Sequence, residues 1–289
     1  MAVETFDTDE ELTAKLETVL QTWPLYRVLV YTGAFAVNTV PKYLSLHCNK
    51  CAKETYWETE IYSSTDNKQG FTTKQYACRN CGRSHVTYYF YWGQAAKSAS
   101  FFKVGQWPEL EETVSDTLVN AMTPEDLKLY KNALRLRNFN LGIASMAYMR
   151  RVVENRMNDM LDVLHEAARV HNAPAEVLAR HEEIKKDKRF SVKVDYAGDL
   201  LPVNLRPAGH PNPIAVLHEL TSGGLHAKSD AECVDIFDEC RQTFEYVFGK
   251  MRIEADEAKA FVNEMARLAK KKSEPAGEIK PAGGSAPGS

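Results

Sequence analysis

Two Cys-x-x-Cys pairs are the residues in this chain whose type and spacing point most directly to chemistry. Cys48 and Cys51 form the first pair, Cys78 and Cys81 form the second, and 26 residues rich in strand formers separate them. Four soft thiolates that converge tetrahedrally are the ligand set of structural Zn²⁺, and short turns at the ends of paired strands bring such pairs together. Gly82, directly after the second pair, permits the tight backbone that such a turn needs. The spacing therefore predicts a Cys₄ zinc site.

Two redox dithiols or four unrelated thiols are the competing interpretations of the same cysteines. Redox motifs normally lie at a strand-to-helix junction of a βαβ unit, a context that this sequence does not suggest. Four cysteine ligands also leave no open coordination position, so the predicted zinc is structural rather than catalytic. His47 and His85 flank the pairs and could replace or orient a thiolate, but we interpret them as strand residues because four cysteines already complete a tetrahedron.

Aromatic and cationic residues alternate around the cysteines, a pattern that is typical of nucleic-acid binding. The cations are Lys50, Lys53, Lys74, Arg79 and Arg83, and the aromatic residues are Tyr56, Trp57, Tyr76, Tyr88, Tyr89 and Tyr91. The alternative is that the rings fill a small sheet and the cations are solvated. The formal net charge of −3 favours this alternative, because the whole chain exerts no attraction on phosphates.

A second candidate site lies in the C-terminal half of the chain. Arg150 and Arg151 are each one helical turn from Glu154, which predicts an ion pair. His226 follows the Gly223-Gly224 dipeptide and precedes a predicted helix cap, where a loop would present its side chain. If the fold brings His226 to the arginines, the group could bind a phosphate or perform acid–base catalysis. The alternative is a capping histidine beside a structural ion pair.

Composition and the chain's N-terminal sequence limit the classes of protein. The 289 residues are 44% hydrophobic and 26% charged, which is typical of a globular protein. No apolar run reaches transmembrane length, and the N-terminal MAVETFDTDEEL lacks the basic-then-apolar order of a signal peptide. We therefore expect a cytoplasmic protein with reduced thiols and no membrane contact.

The helix and strands that must position the cysteines are predicted from a helix-capping pattern and from runs of strand-forming residues. Thr8 and Glu11 form a capping box for an N-terminal helix that ends at Trp23-Pro24. Strand-forming runs precede, separate and follow the cysteine pairs. Their predicted ranges are 27–37, 43–46, 54–62, 72–76 and 85–92. The segment SFFKVGQWP (100–108) is predicted to be a connector, which completes a small zinc-ribbon domain over residues 1–108.

The sequence after residue 108 is predicted to be mainly helical. Thr123-Pro124 starts one helix, and a longer one over 141–170 carries an apolar stripe of core residues. The stripe consists of Met146, Met149, Val153, Met157, Met160 and Leu164. A long connection with strand-like pieces is predicted over 185–213, a short helix over 214–220 ending at Gly223-Gly224, and two more helices after a Ser229/Glu232 capping box. The predicted helical domain covers 109–271, and 272–289 is a disordered tail.

Five segments of this chain together resemble a bacterial family in which a small zinc ribbon is fused to a helical domain related to the HEPN (higher eukaryotes and prokaryotes nucleotide-binding) bundles. The segments are VPKYLSLHCNKC, CRNCG, KVGQWP, GIASMAYMRRVVE and LHELTSGGLHAKSDAEC. The resemblance implies an α+β protein, an N-terminal Cys₄ zinc ribbon with a small antiparallel sheet followed by a HEPN-like helical bundle. It also implies association with restriction or antiphage defence.

Active HEPN ribonucleases carry R-x-x-x-x-H, or a slightly longer spacing, on a helix, and two chains build one site. In this chain the residue five before His226 is Thr221, so only the histidine maps onto that motif. We therefore expect a non-catalytic, zinc-binding recognition protein that pairs with itself or a partner protein. The alternative is a dimeric, metal-independent ribonuclease that uses His226, Arg150, Arg151 and Glu154. Direct binding of RNA or DNA by the ribbon is a third, weaker hypothesis.

Overall fold

The computed structural model describes residues 4–33, 39–59, 69–110, 112–170, 173–201 and 212–273. The chain forms two compact units. The first comprises Met1–Arg156 with Val216–Glu245, and the second comprises Met157–Ala215 with Tyr246–Ser289. The domain boundaries predicted at residues 108 and 271 stay predictions, and the predicted tail lies outside the described residues from 274 onward.

The first unit opens with a helix and a six-stranded sheet. Helix α1 spans Asp9–Thr22, and the strands are β1 (Leu29–Thr32), β2 (Tyr43–Cys48), β3 (Lys53–Thr59), β4 (Gln69–Cys78), β5 (His85–Gln94) and β6 (Ser98–Trp107). Their order across the sheet is β1-β6-β5-β4-β3-β2, and every neighbouring pair is antiparallel. The sheet curls into a half-barrel.

The predicted small zinc ribbon is therefore wrong, although the α+β class is right. The main reason is β6, which was predicted to be a connector but pairs with both β5 and β1. Two features hide its strand pattern in the sequence. Lys103 occupies an inward position between apolar neighbours, and a bulge between Tyr89 and Phe90 shifts the register against β5.

Helix α1 packs against the inner face of the sheet, which we define as the face whose side chains share a buried core with this helix. The core includes Leu16 and Leu20 from α1 and Tyr76, Phe90 and Phe101 from the strands. Side chains alternate between the two faces of a strand, so the intervening residues form the outer face. The predicted capping box is confirmed, because the Glu11 backbone N–H donates to Thr8 Oγ1 at 3.2 Å.

Five helices contribute to the helical part of the first unit. They are α2 (Asp116–Ala121), α3 (Pro124–Asn138), the first half of α4 (Gly142–Val170), most of α8 (Pro213–Ala227) and α9 (Asp230–Glu245). Helix α4 begins so close to α9 that a Cβ on Gly142 would lie 2.1 Å from the Asp230 carbonyl oxygen, so only glycine fits there. The predicted stripe on α4, from Met146 to Leu164, is buried as expected.

The second unit contains the remainder of α4 and four further helices. These are α5 (Ala175–Ala179), α6 (His181–Lys186), α7 (Phe190–Leu200) and α10 (Met251–Ser273), which continues from a π-helical turn, Tyr246–Lys250. The strand-like pieces predicted within 185–213 are wrong where they can be compared, because 190–200 is helical; residues 202–211 lie outside the description. Helix α7 buries Val194, Ala197 and Leu200, a helical spacing that short-range alternation obscures.

Helix α8 also differs from its prediction. It does not end at Gly223-Gly224 but continues to Ala227, so glycine here is tolerated inside a helix rather than capping it. No helix in the described part of the chain is both long enough and apolar enough to cross a membrane.

Candidate metal centre

The four predicted cysteines meet at one end of the sheet, where two hairpins turn. Cys48 ends β2 and Cys78 ends β4, and each is followed by a tight turn that carries the second cysteine of its pair. The Cys51 backbone N–H donates to the Cys48 carbonyl at 3.0 Å, and the Gly82 N–H donates to the Cys78 carbonyl at 2.8 Å. These local bonds point both thiols of each pair toward the other hairpin.

The residue after each second cysteine adopts a left-handed backbone. Gly82 has φ of 61°, and Ala52, at the equivalent place in the first turn, has φ of 52°. The sequence signals this conformation only in the second turn, where glycine occupies it. In the first turn an alanine accepts a conformation that L-residues disfavour.

The sulfur geometry fits a tetrahedral metal ion. Cys48 Sγ lies 3.8 Å from Cys81 Sγ, and Cys51 Sγ lies 4.0 Å from Cys78 Sγ. All four sulfurs lie within 4.8 Å of one another. A tetrahedron with Zn–S bonds of about 2.3 Å has sulfur–sulfur edges of about 3.8 Å. The four thiols could therefore hold such an ion with only a small contraction.

Neutral polar groups surround the sulfurs. Ser84 Oγ lies 3.3 Å from Cys48 Sγ, Thr55 Oγ1 lies 3.3 Å from Cys78 Sγ, and Asn80 donates its amide N–H to Cys51 Sγ at 3.1 Å. Once the cysteines are thiolates, both hydroxyls can donate to them. Such donors orient metal-bound thiolates and stabilise their charge. None of these three residues is signalled by the Cys-x-x-Cys pattern.

The hydrogen bonds and burial also separate the pKa values of the thiols. The Ser84 hydroxyl lowers the pKa of Cys48, and the Arg83 backbone N–H lowers the pKa of Cys81 to about 6. At Cys51 the Asn80 amide also acts to lower the pKa, but burial and the neighbouring thiols outweigh it and raise the value to about 11. A divalent cation at this place would stabilise thiolates that lie so close together.

The burial of the site indicates a structural role for any ion it holds. Cys48 and Cys78 are fully buried and belong to the core that α1 shares with the sheet. Cys51 and Cys81 pack against that core. A site whose ligands are part of the core, with four protein ligands, holds a fold together.

The two histidines that flank the pairs lie outside this cluster. His47 and His85 are both exposed, and the cluster consists of cysteines alone. They line a neighbouring cleft of about 640 Å³, together with Trp57 and Tyr88. The interpretation of both histidines as strand residues agrees with this placement.

The aromatic and cationic residues around the cysteines divide between the two faces of the sheet. Trp57, Tyr76 and Tyr88 are buried on the inner face, as the core-packing alternative expects. Lys74 is buried there too, and its Nζ donates to the Val40 carbonyl at 2.9 Å. By contrast, the outer face exposes other rings of the same set, among them Tyr56, which is 73% exposed.

Two rings of that set, Tyr89 and Tyr91, belong to a larger aromatic stripe across β4, β5 and β6. Tyr91 lies between Phe71 and Phe102, with ring centroids 5.2 and 5.3 Å away, and the stripe continues through two more exposed rings, Tyr89 and Trp107. We call these five residues the outer stripe. The sequence analysis did not single out Phe71, Phe102 and Trp107, although Phe71 and Phe102 each adjoin buried residues along their strands.

The predicted catalytic residues are only partly brought together. Arg150 Nε donates to Glu154 at 2.7 Å, which confirms the predicted ion pair, whereas Arg151 is exposed. The side chain of His226 lies outside the description. A different histidine, His218 on α8, lies within electrostatic reach of the pair. Burial, followed by the charge of Arg150, lowers the pKa of His218.

Comparison with protein-family models, with curated proteins and with solved structures finds no match to this chain. The resemblance to zinc-ribbon proteins with a HEPN-like domain therefore stays a prediction.

Proposed function

We propose that this protein is a non-catalytic recognition protein whose curled sheet is held together by one structural Zn²⁺. A single observation carries the metal proposal. Four thiols from two hairpins lie within 4.8 Å of one another, and three of the four have a hydroxyl or amide partner within 3.3 Å. Soft sulfur ligands in a closed tetrahedron favour Zn²⁺ over the hard cations Ca²⁺ and Mg²⁺.

The test of the metal proposal is the zinc content of the purified chain and of two cysteine variants. We expect about one zinc per chain in the wild type. Cys78→Ser should lose the zinc and the cooperative unfolding of the sheet, because core burial and metal binding are coupled at this residue. Cys233→Ser, which alters a buried thiol outside the cluster, is the control and should keep its zinc. Full zinc in Cys78→Ser with an unchanged unfolding curve would refute the proposal.

The recognition surface in this proposal is the outer stripe, and its ligand is single-stranded RNA or DNA. Phe71 is 70% exposed, Trp107 is 66% exposed and Tyr89 is 44% exposed, so three rings offer accessible faces or edges. Every nucleobase has a face that can stack on such a ring, at about 1–3 kcal/mol per base. A fixed sheet also presents the rings without a cost in backbone ordering.

The charges near the stripe predict binding through stacking rather than through phosphates. Strands β4, β5 and β6 contain only two lysines and no arginine, aspartate or glutamate; both lysines, Lys74 and Lys103, are buried on the inner face. Next to these strands, Lys42, just before β2, and Arg79, just after β4, already pair with Glu58 on β3, at 3.1 and 3.2 Å. The salt dependence of binding should therefore be shallow.

The binding test uses labelled single-stranded oligonucleotides at low and moderate salt. Binding should occur at both salt concentrations and should fall at least tenfold in the Phe71→Ala/Tyr89→Ala variant, since losing two stacks removes more than about 1.4 kcal/mol. Phe139→Ala, which removes an exposed ring from the end of α3, is the matched control. Equal affinity in the stripe variant and the control would exclude the stripe as the binding surface.

A second candidate function is the metal-independent, HEPN-type cleavage of RNA by a dimer. One observation favours it: His218 lies where the charges of both Arg150 and Glu154 act on it. An imidazole with a lowered pKa, within electrostatic reach of a guanidinium, could take a proton while the arginine holds a phosphate. RNA cleavage should then disappear in His218→Ala and persist in His47→Ala, which removes an exposed imidazole elsewhere. Equal cleavage by both variants would reject this candidate.

A role in antiphage or restriction-associated systems, within the cytoplasm, is also part of the proposal. It is supported by the family resemblance alone.

A further inference from the structure

Helix α10 is an amphipathic helix whose described side chains are all exposed. Its large apolar residues are no exception. Phe261 is 67% exposed, Met265 is 50% exposed and Leu268 is 46% exposed. An exposed run of apolar side chains on one element generally marks an interaction surface, whereas single exposed apolar residues need no explanation.

The apolar residues of α10 lie on one side of the helix. Phe261, Met265 and Leu268 follow the spacing i, i+4 and i+7, which places them in one line along a helix of 3.6 residues per turn. Val262 lies at the edge of this line and is also exposed. Asn263 lies on the opposite side. We call Phe261, Met265 and Leu268 the α10 seam.

Charge is distributed unevenly along the same helix. Residues 254–257 read EADE, with three acids, and residues 267–272 read RLAKKK, with four bases. Near the middle of the helix, Glu264 is already paired with Arg267 at 2.6 Å. Arg252 and Lys259 flank the acidic run, so residues 252–259 carry a net charge of −1 and residues 267–272 carry +4. The two ends of the helix therefore differ in the sign of their charge.

This arrangement identifies one partner better than any other. We propose that the α10 seam binds the α10 seam of a second copy of this chain, with the two helices antiparallel. In that orientation the acidic end of each helix faces the basic end of the other, and the apolar seams meet between them. A two-fold axis near Asn263 would place Phe261 of each copy against Met265 of the other, as a self-complementary interface requires.

Two other arrangements fit the charges poorly. A parallel pair would bring acidic end to acidic end and basic end to basic end, so both contacts would be repulsive. An anionic membrane surface prefers a helix whose polar face is basic throughout, and it would repel the acidic end. The charge pattern thus selects the antiparallel pair.

The test measures the mass of the zinc-loaded, full-length chain in solution at tens-of-micromolar concentration. We expect twice the monomer mass of 32.6 kDa for the wild type. Met265→Glu and Leu268→Glu should each give the monomer mass, because a carboxylate would be buried in the seam. Asn263→Glu adds the same charge on the opposite side and should remain dimeric. A monomeric wild type, or a dimeric Met265→Glu variant, would overturn the proposal.

Charge reversal tests the orientation of the two helices. Glu254→Lys/Glu257→Lys should weaken the dimer, and so should Lys271→Glu/Lys272→Glu. One chain that carries all four substitutions should recover it, because opposite ends again face each other. Failure of this recovery, or binding of a monomeric wild type to phosphatidylserine-containing vesicles through Leu268, would refute the antiparallel pair. None of these variants touches the cysteines or the outer stripe, so zinc content and oligonucleotide binding are separate readouts.

Discussion

Lys103 Nζ lies 2.8 Å from the carbonyl oxygen of Leu20, which joins β6 to the last turn of α1. A second cation reaches the same turn, because Arg137 Nη1 donates to the Thr22 carbonyl at 3.0 Å. Helix α1 has three acids in its first turn and no base in its last. Distant parts of the chain therefore supply hydrogen-bond donors to the carbonyls at the C-terminal end of α1.

Lys103 should make the stability of the first unit depend on pH. Burial, with a smaller contribution from the charge of Arg137, lowers the pKa of Lys103 from 10.5 to about 7. Between these values the unfolded chain binds more protons than the folded chain, so the free energy of unfolding should rise with pH across that interval. Lys103→Met should remove this rise. Denaturant unfolding of the zinc-loaded proteins at several pH values measures the effect, and parallel curves for the two proteins would contradict it.

Ala52 in the first cysteine turn is a position where glycine should stabilise the protein. The left-handed backbone costs an L-residue about 1 kcal/mol, and glycine avoids that cost. Ala52→Gly should raise the free energy of unfolding of the zinc-loaded protein by about 0.5–1 kcal/mol.

The reciprocal change, Gly82→Ala, is the natural comparison for Ala52→Gly. A Cβ at Gly82 would meet no atom within 4 Å, so only backbone strain should act. We expect a loss of about 1 kcal/mol. Changes of the same sign in the free energy of unfolding of both variants would contradict backbone strain as the cause.

The stacked imidazoles of His165 and His181 should make the second unit sensitive to acid. Their ring centroids are 4.1 Å apart, and His181 Nε2 lies 2.8 Å from Asp162 Oδ1. Burial, then the neighbouring His181, lowers the pKa of His165 below 6.5. As pH falls below about 6.5, the unfolded state therefore takes up a proton that the folded state resists, and stability is lost.

His165→Phe keeps a ring in the stack but cannot titrate. Its unfolding midpoint in urea should fall less than that of the wild type when the pH is lowered from neutrality to about 5. Asp162, Glu166 and Lys185 remain in both proteins, so the difference between the two proteins reports mainly His165. Equal losses would show that other groups cause any acid sensitivity.

Arg137 should be worth more to stability than an arginine in a surface ion pair. It donates to Asp238 on α9 through Nε at 2.8 Å and to Thr22 at the end of α1, and its side chain is only 15% exposed. Arg137→Met leaves two acceptors without their partner, so we expect a loss of about 2–3 kcal/mol. Arg267→Ala, which breaks an exposed pair within α10, should cost less than about 0.5 kcal/mol. Chemical unfolding compares them, and similar losses would show that Arg137 contributes no more than a surface pair.

The sequence predicted well those features that depend on residues close together along the chain. The Ser229/Glu232 capping box forms as expected, with the Ser229 N–H 2.8 Å from a Glu232 oxygen. Each Cys-x-x-Cys turn is likewise closed by a bond between residues at most four apart. Such bonds depend little on the rest of the fold, so a short sequence pattern is enough to predict them.

The features that the sequence missed depend on which residues the curled sheet brings together. Lys103 occupies an inward position, where the alternation of apolar and polar residues along a strand would predict an apolar side chain. Its acceptor is the Leu20 carbonyl at the end of α1. His218, which the sequence analysis did not single out, lies on α8 where the charges of Arg150 and Glu154 act on it. Neither result could be read from local spacing.

The amino-acid sequence by itself determined which four thiols cluster, the helix starts and the buried stripe of α4, because turn geometry, capping and helical periodicity act within a few residues. Only the tertiary structure decided the size of the sheet, which aromatic rings face the core and which face outward, and which carbonyl oxygen accepts a hydrogen bond from Lys103. These depend on pairing between strands far apart in the chain, and such pairing is selected by the burial of a shared core rather than by local preference.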